Sequence, residues 1–449
     1  MFRNLLRNAT EDRGVRATVL YFASGIFVQA IALVLSPLWT RAMSSAEYGI
    51  IAVVQPIAVF VAAVAGLGLE HGAARLVHDE PRGSSAQLDV AKSIIAFQFA
   101  ILAAVSVVSL ATIRLFEEPL DGLLGFNTQP YLDLAVLGAF LAAAASTLTR
   151  TSQTFELPWP VFWSRSVEAL SRGALILLLV VSWGMQGTGM LIARAASAGS
   201  AVLLIILGVR RVAAGTIRPG VVQAALRFSL PLLPYQLTAL VLDGADRIIL
   251  NEFHGEASVA PYALAYAIGG GAMLLVVNSL VHAEAPTFYQ AVREQDHALA
   301  GGRVIRRIQI LALIAVGMNL VGGPAIRLVY DARYASSAAL LPLIVSGLFF
   351  WGLFSFKNLT LLEQKRSGVS SGVTIVTALV NLGLNFMLIP SRGAAGAAAA
   401  TLIAYALQAV AGVVAERSLA PLPQYLGRLV LLSAGVLSSS ILAYGLLRG

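Results

Sequence analysis

Three charged side chains stand inside a long apolar stretch and are the first candidates for chemistry. Arg165, Glu168 and Arg172 are spaced three and four residues apart, so a helix places them on one face. Arg172 falls about 18 Å along such a helix from residue 160, near its middle. Two guanidinium groups against one carboxylate leave a net positive charge, which suits phosphate or another anion. We predict a cationic wall of a solute cavity; the alternative is a helix contact in which Glu168 neutralises its neighbours.

A second charged group lies in another apolar stretch. Asp243 and Arg247 are four residues apart and can pair on a helix, with Asp246 beside them. These residues are candidates for a gate or for a site that couples transport to a cation; the alternative is a simple ion pair near the membrane interface. Arg194 lies about 9 Å inside the stretch 188–209, where it either faces a cavity or extends its head group to water.

The composition shows which solvent surrounds these charges. Of 449 residues, 58% are hydrophobic and only 12% are charged, whereas soluble domains carry about 25% charged residues. Such a chain calls for lipid as its solvent. A backbone exposed to lipid must satisfy its own hydrogen bonds, so the spanning elements must be helices. The sequence predicts an all-α, polytopic membrane protein with about 12–14 transmembrane helices.

Thirteen apolar stretches have the length that a membrane-spanning helix needs, about 20 residues. They cover about residues 17–38, 48–69, 91–113, 131–149, 160–182, 188–209, 226–250, 259–281, 306–326, 338–360, 370–390, 394–415 and 427–447.

The basic residues between these stretches predict the orientation. With the N-terminus in the cytoplasm, 21 of the 31 basic residues fall on the cytoplasmic side, as the positive-inside rule requires. The net charge of +8 is therefore explained by orientation, and no nucleic-acid partner is expected. We predict a multi-pass protein of the inner (cytoplasmic) membrane, in contact with membrane lipids.

Short internal matches indicate a repeat. Tyr48 and Tyr262 follow the first and seventh stretches within similar segments, 214 positions apart, and Leu191-Ile-Ala193 matches Leu402-Ile-Ala404 at an offset of 211. Two six-helix halves of the same orientation follow, with a solute site between them. The predicted parts are an N-terminal six-helix lobe over 1–211, a C-terminal six-helix lobe over 212–415 and an additional transmembrane segment over 416–449.

Several kinds of chemistry find no support in the residues. There is no cysteine and no G-x-x-x-x-G-K-[ST] or H-E-x-x-H motif, and the five histidines are scattered. We expect no catalytic residues, no metal and no cofactor. An integral-membrane glycosyltransferase or polymerase stays as a weaker alternative, because the acidic loop 115–130 holds no convincing catalytic group. A scaffold that transports nothing would not need charges at mid-membrane.

Four parts of the sequence resemble the Wzx-type polysaccharide flippases of the MOP superfamily, which are relatives of the MATE exporters. These parts are residues 37–50, 66–75, 246–250 with Tyr262, and 381–403. The resemblance places Arg41 and Arg75 in the signature of the first lobe, and Asp246 and Arg247 in that of the second.

The resemblance implies two lobes around a central cavity that opens alternately to either side. It also implies a substrate, an undecaprenyl-diphosphate-linked glycan flipped for surface polysaccharide synthesis (lipopolysaccharide or exopolysaccharide), and partner enzymes such as a polymerase and glycosyltransferases. The alternative within the superfamily is an ion-coupled, MATE-like exporter of small amphiphiles, which would want net negative charge in its cavity. The arginines at positions 165 and 172 argue against that alternative.

Overall fold

The computed structural model describes residues 13–81, 84–155, 157–208, 215–415 and 423–448, and these residues form helices without any strand. In chain order the α-helices are α1 Arg13–Ala42, α2 Ser45–Gly66, α3 Leu69–Asp79, α4 Ser85–Leu115, α5 Glu117–Leu124, α6 Tyr131–Thr154, α7 Pro158–Leu175, α8 Gln186–Gly208, α9 Pro219–Ser229, α10 Leu233–His254, α11 Glu256–Ala265, α12 Gly271–Arg293, α13 His297–Val329, α14 Ser336–Glu363, α15 Ser367–Ala415 and α16 Pro423–Arg448. Two π-helical turns, Ile176–Ser182 and Tyr266–Gly270, continue α7 and α11.

Side-chain caps fix where several helices begin. The hydroxyl of Ser44 accepts from the backbone N–H of Glu47 at 3.2 Å, at the start of α2. The Ser84 hydroxyl caps α4 in the same way, and the Asp296 carboxylate accepts from the N–H of Leu299 at the start of α13. Such caps satisfy N–H groups that a helix leaves open at its first turn.

Ten helices in the described part of the chain are long and apolar enough to cross a membrane, and the pair Pro219–Leu232 and Gln236–His254, bent by 49°, would be an eleventh. The thirteen stretches predicted from the sequence differ from these helices in two further places. The 49-residue α15 holds two of them, because Gly393 leaves helical geometry (φ 54°, ψ −135°) and turns the chain. The predicted stretch 160–182 corresponds to α7 and its π-helical turn. It is not one of the ten apolar helices, because α7 carries three charged residues, Arg165, Glu168 and Arg172.

The chain divides into two compact units, and the boundary lies between Leu240 and Val241, within α10. The lobe boundary predicted from the sequence, 211/212, falls outside the described residues. The predicted C-terminal segment 416–449 contains α16, which begins at Pro423. The division into lobes at the predicted boundaries stays a prediction.

Within the first unit, α6 and α8 are the central helices. The α6 helix packs on α2 and α4, and α8 packs on α6 and α7, while α1 packs on α7. Small residues permit these contacts: a Cβ at Gly138 of α6 would lie 3.6 Å from the Ala195 backbone of α8. Close approach through small residues is how helices associate in membranes.

Within the second unit, α14 is the central helix, and 83% of its most apolar window is buried. It packs on α13, α15 and α16. The Asn319 side chain of α13 is fully buried and donates to three acceptors: Ser346 Oγ of α14 at 3.2 Å, and Val436 O and Ser439 Oγ of α16 at 3.3 and 3.0 Å. One amide thus joins three helices, and it holds α16 as part of this unit.

We expect Asn319→Ala to lower the free energy of unfolding by about 1 kcal/mol, because interhelical hydrogen bonds in membranes are worth about that much. The measurement is thermal unfolding of the purified protein in detergent. Asn278→Ala is the matched control, since Asn278 is exposed on α12. Equal melting temperatures for the two variants would contradict the role given to Asn319.

Candidate functional site

A cavity of about 510 Å³ lies within the first unit. Residues of α2, α4 and α6 line it, together with the first part of α10. Most of the lining side chains are small and apolar, chiefly alanines, and the polar ones are Gln55, Gln98, Ser146, Arg150 and Gln236. No carboxylate belongs to this lining among the described residues. The cavity therefore presents amides, a hydroxyl and a single cation.

Two of the lining amides have atoms with open hydrogen-bonding capacity. Within the described part of the chain, Gln98 Oε1 and Gln236 Nε2 are buried and have no hydrogen-bond partner. Leaving a buried polar atom unsatisfied costs about 1–3 kcal/mol, so such atoms call for a ligand or water. An acceptor on Gln98 and a donor on Gln236 together suit hydroxyl groups, which both donate and accept.

The predicted site residue Arg194 of α8 reaches this lining through another side chain. Its Nη1 donates to Gln55 Oε1 at 2.8 Å, and Gln55 lines the cavity from α2. The sequence predicts interhelical hydrogen bonding as the ordinary role of Gln55 and Gln98. Gln55 has such a bond, and the structure places both amides on the cavity wall as well.

The signature segment 66–75 shapes one end of the cavity and the helix after it. Gly68 has φ +63°, and a Cβ there would lie 3.4 Å from the Gln236 amide. Gly72 of α3 donates its N–H to Ser229 Oγ of α9 at 3.1 Å, and a Cβ at Gly72 would come within 2.7 Å of the Ala225 carbonyl oxygen. Both glycines are therefore required by local geometry.

The two signature arginines of the first unit lie at its surface. The Arg75 guanidinium stacks over the Phe228 ring at 4.7 Å and lies 3.9 Å from the Asp79 carboxylate, with both charged groups largely exposed. Arg41 is exposed in the last turn of α1, close to the buried Trp39, whose ring contacts Tyr48 at 4.7 Å. Neither arginine lines the cavity, and their predicted role in substrate binding stays a prediction.

The charged face of α7 meets α8. Arg172 forms an ion pair with Glu168, as their spacing allows, and its Nε donates to Ser197 Oγ of α8 at 3.2 Å. Ser171 and Ser200 hydrogen-bond across the same two helices at 3.2 Å. Arg165 lies two turns before Arg172 and is half-buried. Arg165, Glu168 and Arg172 are not among the residues that line the 510 Å³ cavity, so their assignment to a substrate site stays a prediction.

The predicted acidic residues of α10 belong to a polar cluster in the second unit. Asp246 is buried; it accepts from the Tyr262 hydroxyl of α11 and, at 2.8 Å, from the Arg247 backbone N–H. The Arg247 guanidinium lies over the Tyr266 ring at 5.1 Å, while Asp243, one turn before it, is exposed. The cluster brings together the three predicted residues with two tyrosines and holds both signs of charge.

Sequence reasoning missed Glu47, which joins the starts of three helices. Its carboxylate accepts from the Tyr131 hydroxyl of α6 at 2.8 Å and from the Gly187 N–H of α8 at 3.1 Å. The signal was partly present, because Ser44 followed three residues later by glutamate is the pattern of a capping box. That pattern marks a helix start, but it gives no indication of the partners on α6 and α8.

No group of three histidine, aspartate or glutamate side chains in the described residues is placed to hold a metal ion.

Comparison with solved structures defines the class of fold. A multidrug resistance MATE transporter of the MOP superfamily, inward-facing, is similar with a TM-score of 0.73 over 89% of this chain and 97% of that one, at 13% identity. The lipid II flippase MurJ, inward closed, is similar with a TM-score of 0.70 over 96% and 98%, at 15% identity. A MOP superfamily transporter from Pyrococcus furiosus, described by a reversed polarity of its binding pocket, gives 0.63 over 90% and 95%, at 14% identity. The fold is therefore that of the MOP superfamily, as predicted, and these neighbours are named as transporters or a flippase, not as enzymes.

Comparison of the sequence with protein-family profiles identifies the family of this chain. A profile described as polysaccharide biosynthesis protein matches residues 15–292, more than half of the chain. The chain belongs to this polysaccharide biosynthesis family, which confirms the predicted resemblance. No curated protein sequence matches it significantly.

We expect Glu47→Ala to destabilise the first unit by about 1–3 kcal/mol, because the Tyr131 hydroxyl and the Gly187 N–H would both lose their acceptor. Thermal unfolding in detergent measures the effect. Glu118→Ala serves as the control, since Glu118 is exposed in α5. A melting temperature for Glu47→Ala as high as that of the control would show that the three helix starts do not depend on this carboxylate.

Proposed function

We propose that this membrane protein flips a polyprenyl-diphosphate-linked oligosaccharide across the cytoplasmic membrane for surface polysaccharide synthesis, by alternating access. The observation that carries the proposal is the composition of the cavity in the first unit: amides, a hydroxyl and Arg150, with no carboxylate among the described lining residues. Sugar hydroxyls suit the amides, and a diphosphate suits a guanidinium. Membership of the polysaccharide biosynthesis family supports the same substrate class.

The physical need for such a protein is clear. A diphosphate and several sugars cannot enter hydrocarbon unaided, since charged and polar groups cost several kcal/mol or more there. The polyprenyl chain, in contrast, is apolar and can remain in the hydrocarbon of the bilayer. A flippase therefore has to shelter only the head group, and a cavity of polar groups among small apolar side chains provides that shelter.

A MATE-like, ion-coupled exporter of small cationic amphiphiles is the second candidate. The observation that favours it is the carboxylate of Asp246, which is buried in the second unit with Asp243 one turn away. The Arg247 guanidinium beside them reduces the negative charge that a cation would meet. For this reason we rank it below the flippase.

Flipping is measured in proteoliposomes that hold a fluorescent polyprenyl-diphosphate oligosaccharide, with a lectin capturing the sugars that reach the outside. Efflux of a cationic dye under a sodium or proton gradient is measured in parallel. Lectin capture that needs the protein supports the flippase. Dye efflux without any lectin capture would replace the flippase with the exporter.

We expect Gln98→Leu to slow flipping by about two- to tenfold, because one neutral hydrogen bond to the substrate is worth about 0.5–1.5 kcal/mol, and a factor of ten corresponds to about 1.4 kcal/mol. The lectin assay measures the rate. Gln223→Leu makes the same chemical change at an exposed position of α9 and should leave the rate unchanged. A normal rate for Gln98→Leu would remove the amide wall from the substrate path.

A double variant tests whether Arg172 binds the substrate or only neutralises Glu168. If Arg172 binds the diphosphate, Arg172→Ala abolishes export without preventing membrane insertion, and adding Glu168→Ala does not restore it. If Arg172 only balances Glu168, the single variant leaves a half-buried carboxylate without its partner. The double variant would then recover most of the export rate, and the substrate-binding assignment would be lost.

A further inference from the structure

A second pocket, within the second unit, is lined by basic and hydroxyl-bearing side chains. It has a volume of about 750 Å³ and lies where the last turns of α10 and α16 meet the bend in the middle of α15. We name it the arginine pocket, after its lining residues His254, Ser391, Arg392, Tyr444 and Arg448. Neither the family match nor the proposed flipping path accounts for it.

The backbone of the bend holds the pocket in shape. Gly393 adopts φ +54°, which favours glycine, and a Cβ at Gly396 would come within 2.4 Å of the Leu388 carbonyl oxygen. The His254 Nε2 lies 2.8 Å from the Ile389 carbonyl oxygen. The imidazole ring at the end of α10 thus contacts the part of α15 that precedes the bend. Two contacts therefore define the turn that carries Arg392: the close approach of Gly396 to Leu388 and the contact of His254 with Ile389.

The pocket has positive charge and no acidic wall. Arg392 and Arg448 are both exposed, and the Arg448 guanidinium lies 6.0 Å from the Tyr444 ring. The lining contains no carboxylate among the described residues. Beside the pocket, Arg327 of α13 donates to the Leu447 carbonyl oxygen of α16, which brings a third guanidinium to the same helix end. Two exposed guanidinium groups without an acidic partner in the lining attract an anion.

The nearby Arg333, unlike the arginines of the pocket lining, forms an ion pair with an acidic residue. Arg333 follows α13 at the same end of the second unit, and its Nε donates to the Asp331 carboxylate at 2.9 Å. That pair needs no ligand. The contrast makes the two arginines of the pocket more significant, and it supplies a matched control.

The side of the membrane strengthens the inference. The orientation predicted from the loops puts this end of the helices on the outer side, where basic residues are few. This orientation places six loop arginines on the outer side: Arg41, Arg114, Arg327, Arg333, Arg392 and Arg448. Three of them, Arg327, Arg392 and Arg448, gather at the pocket. Helix ends lie at the level of lipid head groups, where guanidinium groups can meet phosphate oxygens.

We propose that the arginine pocket binds the phosphate group of an anionic amphiphile at the outer end of the second unit. The guanidinium groups of Arg392 and Arg448 hold the phosphate oxygens, and the Ser391 and Tyr444 hydroxyls donate further hydrogen bonds. The volume and the position at helix ends suit a head group whose acyl or prenyl chain remains in lipid. The proposal rests on this pocket alone and does not require the flippase function.

The test uses the full-length protein in detergent. Native mass spectrometry measures the binding of phosphatidylglycerol, of zwitterionic phosphatidylcholine and, separately, of inorganic pyrophosphate. We expect an anionic ligand to bind at least about tenfold more weakly to the double variant R392Q/R448Q, which loses two charge-assisted contacts. R333Q should bind as the unaltered protein does, and R392K/R448K should retain part of the affinity because it keeps the charge but loses the guanidinium fork.

The outcomes separate the sources of the phosphate. Loss of phosphatidylglycerol binding in R392Q/R448Q, with phosphatidylcholine bound weakly throughout, supports a lipid head group. Loss of pyrophosphate binding alone supports a free phosphate or diphosphate. Equal binding of every ligand by R392Q/R448Q and R333Q would overturn the proposal, provided that both variants elute as a single species in gel filtration. Flipping measured in proteoliposomes is a separate readout, so failure of one proposal leaves the other standing.

Discussion

The constraint on which this structure depends is that a polar group inside an apolar helical bundle must find a partner there. Lipid supplies no hydrogen bonds, and an unsatisfied group costs several kcal/mol. The described residues meet the constraint mostly by joining helices: Asn319 holds three of them, Glu47 joins three helix starts, and the buried Glu284 of α12 pairs with Arg307 of α13 at 2.9 Å. Where the constraint is met in this way, the polar group has a structural role. At Gln98 Oε1 and Gln236 Nε2, where it is not met, the two amides line the cavity of the first unit.

Glycine determines how closely these helices approach and where they turn. A Cβ at Gly347 of α14 would lie 3.2 Å from the Leu402 backbone of α15, and one at Gly72 would overlap the Ala225 carbonyl oxygen of α9. In both places the two backbones are close enough for dispersion to contribute to the packing, and at Gly72 the N–H also donates to Ser229 Oγ. At Gly393 the same residue type serves a different purpose, because its positive φ reverses the chain between two long helices. The hydrogen-bonded joints and the close contacts are thus complementary means of fixing one arrangement.

The sequence predicts the class of fold well, because the requirement for about 20 apolar residues per span is strong and leaves a clear pattern. It fails where a span is not a uniform apolar helix. The stretch 160–182 ends in a π-helical turn, Ile176–Ser182, and the helix pair that covers 226–250 is bent by 49°. Of the candidate site, the sequence predicts the local pairs, such as Glu168 with Arg172, since their spacing fixes their neighbours. It cannot predict that Gln55 meets Arg194, 139 positions away, because contacts between helices depend on how each helix is rotated.

The distribution of charge bears on how the proposed flipping could be driven. If an ion gradient supplies the energy, the coupling ion needs a group that can take up positive charge, and a carboxylate is such a group. The carboxylates of Glu168 and Asp246 have close polar partners in the structure: Glu168 pairs with Arg172, and Asp246 accepts from Tyr262 beside Arg247. Protonation of Glu168 would leave the Arg172 guanidinium without its counter-charge, and protonation of Asp246 would leave Arg247 with Asp243 alone; a charge that loses its partner is costly inside the bundle. A diphosphate could then restore the balance, so the same arginines that neutralise these carboxylates would favour an anionic substrate once the carboxylates are protonated. If the proposed substrate is correct, proton uptake and binding of its diphosphate would support each other, and a proton gradient could be coupled to transport in this way.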